Sequence, residues 1–297
     1  MTLKNFKIIH ILRILRPYQW VKNVLVFTPL LMSHNFDFSN FILSAKAFII
    51  FSLIASSIYV INDIMDVKSD RNHPFKKYRP LAARLITVNH CRVLVLILLT
   101  LSIIFLINVN KEFIIIIISY FILSNLYTFF FKKIIIIDLL ILSLLYTSRI
   151  LGGGYIADTS TSLSLLLFSV FFFTSLAAVK RLTELVNIVR FKKKRIHGRA
   201  YTIKHKKMIY WIAILTGWIS ILLLIFHINS PVVIKQYSFP NILWIICFVM
   251  LFWISRIIYV SNKGQIKDDP IVYAISDKIS YLCLVIILFI FWLGVTI

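Results

Sequence analysis

One segment of the 297-residue chain carries acidic side chains at spacings that suit metal chemistry. Asp63, Asp66 and Asp70 are three and four residues apart, so an α-helix places them on one face. Three converging carboxylates repel one another unless a cation lies between them, and their hard oxygens suit Mg²⁺, which also binds phosphate oxygens. The spacing therefore predicts a magnesium site. The alternative is that the acids only form salt bridges to neighbouring cations.

Basic side chains follow these acids directly. They can balance phosphate charge beside a magnesium ion, and an arginine can do so through two parallel hydrogen bonds. The candidates for phosphate contacts in this segment are Arg71, Lys76, Lys77 and Arg79. His73 lies among them, and it either bonds a phosphate or shapes the turn before Pro74.

A second basic segment lies more than a hundred residues further along the chain. Lys180 and Arg181 are followed by a single acid, Glu184. Two cations with one carboxylate suit a loop that binds phosphates. The alternative is that both cations only mark the cytoplasmic side of the membrane.

Arg149 lies inside an apolar stretch, where a charged side chain is costly and indicates function. Asp138 is eleven residues away, about 16 Å along a helix, so it is too far for a direct pair. We therefore expect Arg149 to face the interior of the helix bundle, with a partner that the sequence does not identify. The glycines at 152–154 favour close helix packing over a ligand site.

Lys22 and Asn23 stand where the first apolar stretch begins. We predict that they line the mouth of a polar cavity. For Lys22 the alternative is snorkelling, in which the apolar stem stays in the membrane and the ammonium group reaches water.

The composition excludes a soluble globular protein and a disordered chain. Hydrophobic residues make up 60% of the chain, charged residues 15%, and the mean hydropathy is +0.90. We predict an all-α integral membrane protein with nine transmembrane helices in a single domain, 1–297. Residues 1–20 form an amphipathic interfacial segment and 21–297 the bundle. The nine stretches are 21–33, 41–61, 93–110, 113–131, 134–156, 163–179, 210–228, 242–260 and 279–296.

The net charge of +22 is distributed unevenly along the chain. Nine crossings place 29 of the 33 Lys and Arg residues on the side that holds the N-terminus. By the positive-inside rule this side is cytoplasmic, in an inner (plasma) membrane, and the C-terminus is outside. Topology thus accounts for the basic balance, and we expect no nucleic-acid partner.

The segment 62–80, NDIMDVKSDRNHPFKKYRP, resembles the first Asp-rich motif of the UbiA superfamily of intramembrane prenyltransferases. Segments 16–23, 180–185 and 264–274 look like its decaprenyl-phosphate phosphoribosyltransferase branch, and the likeness runs from about residue 13 to residue 280. The resemblance implies a nine-helix UbiA-type bundle with cytoplasmic active-site loops. It also implies Mg²⁺ bound by Asp63, Asp66 and Asp70, with Asn62 beside them in the catalytic motif.

The resemblance implies transfer of a 5-phosphoribosyl group from phosphoribosyl diphosphate to a polyprenyl phosphate, for cell-envelope glycan precursors. The acceptor phosphate is already an anion at pH 7, so no general base is needed.

Two alternatives stay open. A prenyltransferase that uses a prenyl diphosphate and an aromatic acceptor should carry a second Asp-rich loop, which this chain lacks. A transporter or scaffold should show an inverted repeat or polar groups at several helix midpoints, whereas the polar clusters here lie at one face. Assembly into an oligomer of identical chains is left open.

Overall fold

The computed structural model describes residues 8–33, 37–72, 76–159, 161–190, 199–266 and 269–296, and within them no β-strand is present. Every described element longer than the eleven-residue 3₁₀ helix Pro17–Phe27 is an α-helix. The α-helices are α1 (Ile8–Leu15), α2 (Thr28–Ser33), α3 (Phe38–Arg71), α4 (Val88–Phe105), α5 (Lys111–Phe129), α6 (Ile137–Ile156), α7 (Leu163–Arg190), α8 (Lys206–Ile228), α9 (Pro231–Gln236), α10 (Trp244–Asn262), α11 (Pro270–Ser276) and α12 (Lys278–Thr296).

The protein is a multi-pass membrane protein. Seven helices in the described part are long and apolar enough to cross a membrane, or up to eight if the bent pair α11 and α12 counts as one span. The predicted count of nine is not confirmed. The count differs at the first predicted stretch, 21–33. There Pro17–Phe27 is a 3₁₀ helix, and only the six residues of α2 follow it as α-helix.

The chain divides into two compact units, Met1–Thr128 with Ser148–Ser160 and Phe129–Thr147 with Thr161–Ile297. In the first unit, α1 presents exposed Ile8 and Leu12 on one side, while Ile14 is buried. The amphipathic interfacial segment 1–20 stays a prediction, and its residues 1–7 lie outside the described residues. Ile14 belongs to an apolar cluster with Val60, Leu81, Ile86 and Cys91.

The N-terminal 3₁₀ helix (Pro17–Phe27) begins where the backbone turns sharply. Arg16 has a φ of 53°, in the left-handed region that costs energy for residues other than glycine. Pro17 then occupies the first helical position, where its fixed φ fits and no amide hydrogen is needed. The turn thus directs the chain from α1 into the 3₁₀ helix.

Polar side chains hold this 3₁₀ helix along α3. Trp20 Nε1 donates a hydrogen bond of 2.9 Å to Ser56 Oγ, and Asn23 Nδ2 donates one of 2.9 Å to Ser52 Oγ. Asn23 is 1% exposed, so each of these bonds satisfies polar groups that cannot reach water. The 3₁₀ helix and α3 therefore form a paired element at the centre of the first unit.

Gly153 on α6 allows the closest approach in the first unit. A Cβ atom added there would lie 2.0 Å from the carbonyl oxygen of Val26, a backbone atom that cannot rotate away. At the adjacent Gly152, a Cβ would lie 3.0 Å from the ring of Phe51, a tight contact but 1.0 Å longer and with a side chain instead of the backbone. The prediction that the glycines at 152–154 serve close helix packing is confirmed at both positions.

We predict that Gly153→Ala lowers the stability of the folded protein by roughly 3 kcal/mol or more, at the upper end of overpacking effects. Thermal unfolding in detergent micelles measures the change. Gly152→Ala is the matched control, since it adds the same methyl group one residue away. An equal loss in both variants would contradict the assignment of the tight contact to Gly153.

The second unit is built around the long helix α7. It packs against α8, and α10 packs against both. Their shared core is apolar and almost without exposed surface, so it holds these helices together. The core includes Leu182, Leu185, Ile209, Ile254 and Ile257.

The C-terminal helices α11 and α12 meet at an angle of 83°. Asp277 lies at this bend and accepts hydrogen bonds of 2.6 and 3.0 Å from Arg256 on α10. It also accepts a 2.8 Å bond from the amide of Ser280 in the first turn of α12. These contacts of Asp277 are those of a helix cap.

Candidate active site

The acidic motif occupies the last turns of α3, as its spacing predicts. Asp63 and Asp70 are each 2% exposed, while Asp66 between them is half-buried. The three acids thus lie on a continuous helix that emerges from an apolar segment. The helix ends at Arg71, and Arg79, in the described part of the loop that follows, contacts two of its acids.

Two arginines neutralise the buried acids. Arg16 Nη2 contacts Asp63 Oδ1 at 2.5 Å. Arg79 Nη1 lies 3.2 Å from the same oxygen and 2.7 Å from Asp70 Oδ2. The cation between Asp63 and Asp70 in this structure is therefore a guanidinium group. We define Arg16, Asp63, Asp66, Asp70 and Arg79 as the acid–arginine cluster.

The residues of the motif still fit a divalent cation by donor type. Asp70 Oδ1 and Asn62 Oδ1 are buried oxygens without a hydrogen-bond partner. Among the described side chains, the Asp66 carboxylate forms no hydrogen bond or ion pair. These are hard oxygen donors of the kind that Mg²⁺ prefers.

No group of three His, Cys, Asp or Glu residues in the described ranges lies close enough to hold a metal ion. The predicted convergence of all three acids is therefore not seen, because Asp63 and Asp70 instead share Arg79. Their assignment as metal ligands stays a prediction.

The other cations of this segment lie around the end of α3. Arg71 is exposed in the last turn, and Lys76 and Lys77 belong to a short 3₁₀ turn. Lys77 Nζ stands 5.2 Å from the centre of the Tyr78 ring. His73 lies outside the described residues. Arg79 is thus the member of this basic segment that reaches the acids.

Arg149 faces the interior, as predicted, and is 5% exposed. Its Nε donates a hydrogen bond of 2.7 Å to Asn23 Oδ1, and its Nη2 donates one of 2.9 Å to the Tyr120 hydroxyl. The guanidinium carbon also lies 4.9 Å from the centre of the Tyr120 ring, a cation–π distance. The partners of Arg149, which the sequence did not identify, therefore include the side-chain amide of Asn23 and the phenol of Tyr120. Lys22 adjoins Asn23 in the same 3₁₀ helix.

In the second unit, Arg181 is fully buried in an ion-pair network. Its Nε donates a 2.6 Å hydrogen bond to Asp138 Oδ2 on α6, and its Nη1 donates one of 2.6 Å to Glu184 Oε1. Arg199 approaches both acids at 3.4 Å. These contacts are those of a structural centre, which differs from the phosphate contact that the sequence predicts for Arg181.

Tyr201 completes this network and supports a strained turn. Its hydroxyl donates to Asp138 Oδ1 and accepts a 3.1 Å bond from the amide of Ile136. Ile136 has a φ of 71°, an unusual value for a β-branched residue. Burial and the hydrogen bond to Asp138 raise the pKa of the Tyr201 phenol, so it stays protonated and able to donate.

Lys180 lies next to Arg181 but pairs with another helix. Its Nζ contacts Asp269 Oδ2 at 2.8 Å, and Asp269 also caps α11 by accepting from the amide of Ile271 at 3.0 Å. The prediction of two cations with one acid is therefore incomplete. Three cations face three acids, because Asp138 and Asp269 come from distant parts of the sequence.

Sequence reasoning did not assign site roles to Arg16, Asp138, Arg199 or Tyr201. Arg16 stands at the start of the segment 16–23 that supports the family resemblance, which was the available signal. Asp138 is an acid within an apolar stretch, a second signal. The other two residues lie in a basic loop and carry no pattern of their own.

These features define a class: a multi-pass, all-helical membrane protein with a buried acidic motif and clustered cations. The chain matches the model of the UbiA prenyltransferase family over residues 24–235. The protein belongs to the UbiA prenyltransferase family.

Three comparisons show the range of its relatives. "Nodulation protein NoeC" of Azorhizobium caulinodans is 33% identical over 272 residues, covering 91% of this chain and 88% of that protein. The decaprenyl-phosphate phosphoribosyltransferase of Mycolicibacterium smegmatis is 28% identical, covering 96% and 90%. The structure of a UbiA homolog from Archaeoglobus fulgidus bound to GPP and Mg²⁺ superposes with a TM-score of 0.69 at 14% identity, covering 96% of this chain and 98% of that one. That last likeness shows the shared fold.

Proposed function

We propose that this protein transfers a 5-phosphoribosyl group from 5-phosphoribosyl 1-diphosphate to a polyprenyl phosphate and releases diphosphate. The similarity to a decaprenyl-phosphate phosphoribosyltransferase over nearly the whole chain supports this reaction. The product serves as a precursor for cell-envelope glycans. The protein acts as a single domain of an inner membrane, with its N-terminus and active site on the cytoplasmic side.

The observation that carries this choice is the charge balance around α7. Glu184 is the acid that α7 contributes, and Arg181 and Arg199 both pair with it. Asp138 and Asp269 likewise have cationic partners. Pairing of acids with cations is common to both regions, but α7 contributes one acid where the motif at the end of α3 contributes three. This favours phosphoribosyl transfer over transfer of a prenyl group to an aromatic acceptor, for which a second Asp-rich loop is expected.

The reaction needs little proton chemistry from the protein. An oxygen of the acceptor phosphate attacks the anomeric carbon of the ribose, and the bond from that carbon to the diphosphate breaks. The acceptor is an anion before it attacks, so no side chain has to remove a proton. The residues instead bind, orient and screen charge as an oxocarbenium-like transition state develops.

The acidic motif would hold the donor through Mg²⁺. Asp63, Asp66 and Asp70 would hold the ion, and the buried oxygens Asn62 Oδ1 and Asp70 Oδ1, which have no hydrogen-bond partner, lie in the same motif. When bound, Mg²⁺ supplies charge stabilisation to the departing diphosphate.

Cations of this chain would take the remaining phosphate oxygens. Near the motif these are Arg71, His73, Lys76, Lys77 and Arg79. On α7, Lys180 takes this role in preference to Arg181, because its side chain is 31% exposed and that of Arg181 is 0% exposed. Substrate contact was also predicted for Lys22, Asn23 and Arg149; because Asn23 and Arg149 are 1% and 5% exposed and bonded to each other, we propose that these two support the site from behind and that Lys22 makes the contact.

A transfer assay tests the reaction directly. Purified protein is incubated with polyprenyl phosphate, Mg²⁺ and radiolabelled phosphoribosyl diphosphate, and label is counted in the organic phase with and without chelator. Chelator-sensitive labelled lipid is the expected result. Absence of labelled lipid, with product formed instead from a prenyl diphosphate and an aromatic acid, would overturn the proposal in favour of the alternative.

A further inference from the structure

Arg79 holds an unusual position in the acid–arginine cluster. A single nitrogen, Nη1, lies within hydrogen-bond distance of Asp63 Oδ1 and Asp70 Oδ2 at the same time. It therefore contacts one carboxylate oxygen of Asp63, the first acid of the motif, and one of Asp70, the last acid. A cation that binds these carboxylates competes with Arg79 for the same oxygens.

The Arg16 guanidinium group lies over an aromatic ring and is less exposed than that of Arg79. Its guanidinium carbon lies 5.2 Å from the centre of the Tyr59 ring, and the carbonyl of the preceding Leu15 accepts a 3.0 Å hydrogen bond from Ser56. Arg79 lies in the loop between α3 and α4, and its side chain is 28% exposed against 19% for Arg16. Of the two guanidinium groups, Arg79 is the one that can leave with less disruption.

The net charge of the acid–arginine cluster also favours the release of one arginine when a metal ion binds. Three carboxylates and two guanidinium groups leave it with a net charge of −1. A divalent cation would change this to +1, so one of the resident cations becomes surplus. Diphosphate arrives with several negative charges that a displaced guanidinium group can bind through two parallel hydrogen bonds.

We propose that Arg79 is an exchangeable counter-ion: it bridges Asp63 and Asp70 while no metal is bound and moves to the diphosphate when a metal–diphosphate complex binds. The buried Asp70 Oδ1 has no hydrogen-bond partner, so no protein donor competes with an ion for this oxygen. This inference rests on the proposed function only where that function places a divalent cation and a diphosphate at the acidic motif. It requires neither a ribose nor a polyprenyl phosphate.

Binding measurements on the full-length protein in detergent test the exchange without any turnover. Mn²⁺ affinity is measured by electron paramagnetic resonance, and labelled inorganic diphosphate is bound in the presence of saturating Mg²⁺. In Arg79→Gln we expect Mn²⁺ alone to bind roughly 5- to 10-fold more tightly and diphosphate to bind roughly 10-fold more weakly, within the usual range of coupling between sites. Opposite signs for the two ligands are the signature of exchange.

Two controls separate this effect from general changes in charge or folding. Arg92→Gln removes the same charge from an exposed arginine that contacts Asn89, and it should leave both affinities unchanged. Arg79→Lys keeps a competing cation, so Mn²⁺ affinity should stay near that of the unmodified protein.

Three results would overturn the proposal. Weaker binding of both ligands in Arg79→Gln would make Arg79 a fixed support of the acids. Unchanged Mn²⁺ affinity with weaker diphosphate binding would make it a phosphate ligand alone. Absence of Mn²⁺ binding by the unmodified protein would remove the metal from the motif. Failure of phosphoribosyl transfer with the opposite-sign signature intact would overturn the proposed function and leave Arg79 exchange standing.

Discussion

Asp66→Asn is expected to abolish Mg²⁺-dependent transfer and to leave the fold intact. A bound metal ion stabilises transition-state charge by several kcal/mol, and about 1.4 kcal/mol corresponds to a tenfold change in rate, so the loss should be on the order of 100-fold or more. The thermal unfolding temperature should not change, because the Asp66 carboxylate takes part in no ion pair with the described residues. Labelled lipid formed per minute and the unfolding temperature are measured on the same preparation.

Two further variants serve as comparisons for Asp66→Asn. Asp37→Asn makes the same change at an exposed aspartate that begins α3, at the opposite end of the helix from the motif, and activity should be unaffected. Asp63→Asn removes a carboxylate that is 2% exposed and contacts both Arg16 and Arg79, so it should lower stability as well as activity. Full activity in Asp66→Asn would remove that residue from the metal ligands.

Arg181→Met is expected to destabilise the protein by about 3–5 kcal/mol, the usual cost of breaking a buried ion pair by removing one partner. Asp138 is 0% exposed and would keep the Tyr201 hydroxyl and, as its charged partner among the described residues, the more distant Arg199, 3.4 Å away. The measurements are the yield of folded protein from membranes and the thermal unfolding temperature in detergent.

A second substitution tests the ion-pair explanation. Adding Asp138→Leu to Arg181→Met removes the stranded buried charge, so part of the lost stability should return. A double variant as unstable as the sum of the two single variants would contradict the pairing. A higher KM for one phosphate-bearing substrate, with an unchanged unfolding temperature, would instead return Arg181 to phosphate binding.

Local patterns predicted a large part of this fold. Eight of the nine apolar stretches fall on helices, since runs of this length and hydropathy leave few other structures in a membrane. The acidic motif is helical as predicted, because its spacing continues the period of α3. Arg149 faces the interior because the cost of charge in lipid leaves it no other stable position.

A single sequence did not allow us to predict which distant segments are in contact. Arg181 and Asp138 are 43 residues apart, and Lys180 and Asp269 are 89 residues apart. No periodicity within either segment encodes these pairs. The 3₁₀ conformation of Pro17–Phe27 was missed for a related reason. Its apolar residues fit the pattern of an ordinary helix. The tighter winding goes with contacts to α3 and Gly153, which are distant in the sequence.

The 3₁₀ winding of Pro17–Phe27 limits which changes in length the protein can tolerate. At three residues per turn, Trp20, Asn23 and Val26 recur on one side, where they meet Ser56, Ser52 and Gly153. One inserted or deleted residue would rotate everything beyond it by about a third of a turn and separate these partners. Related chains that keep this arrangement should therefore conserve the number of residues between Arg16 and Val26 more strictly than the residues themselves.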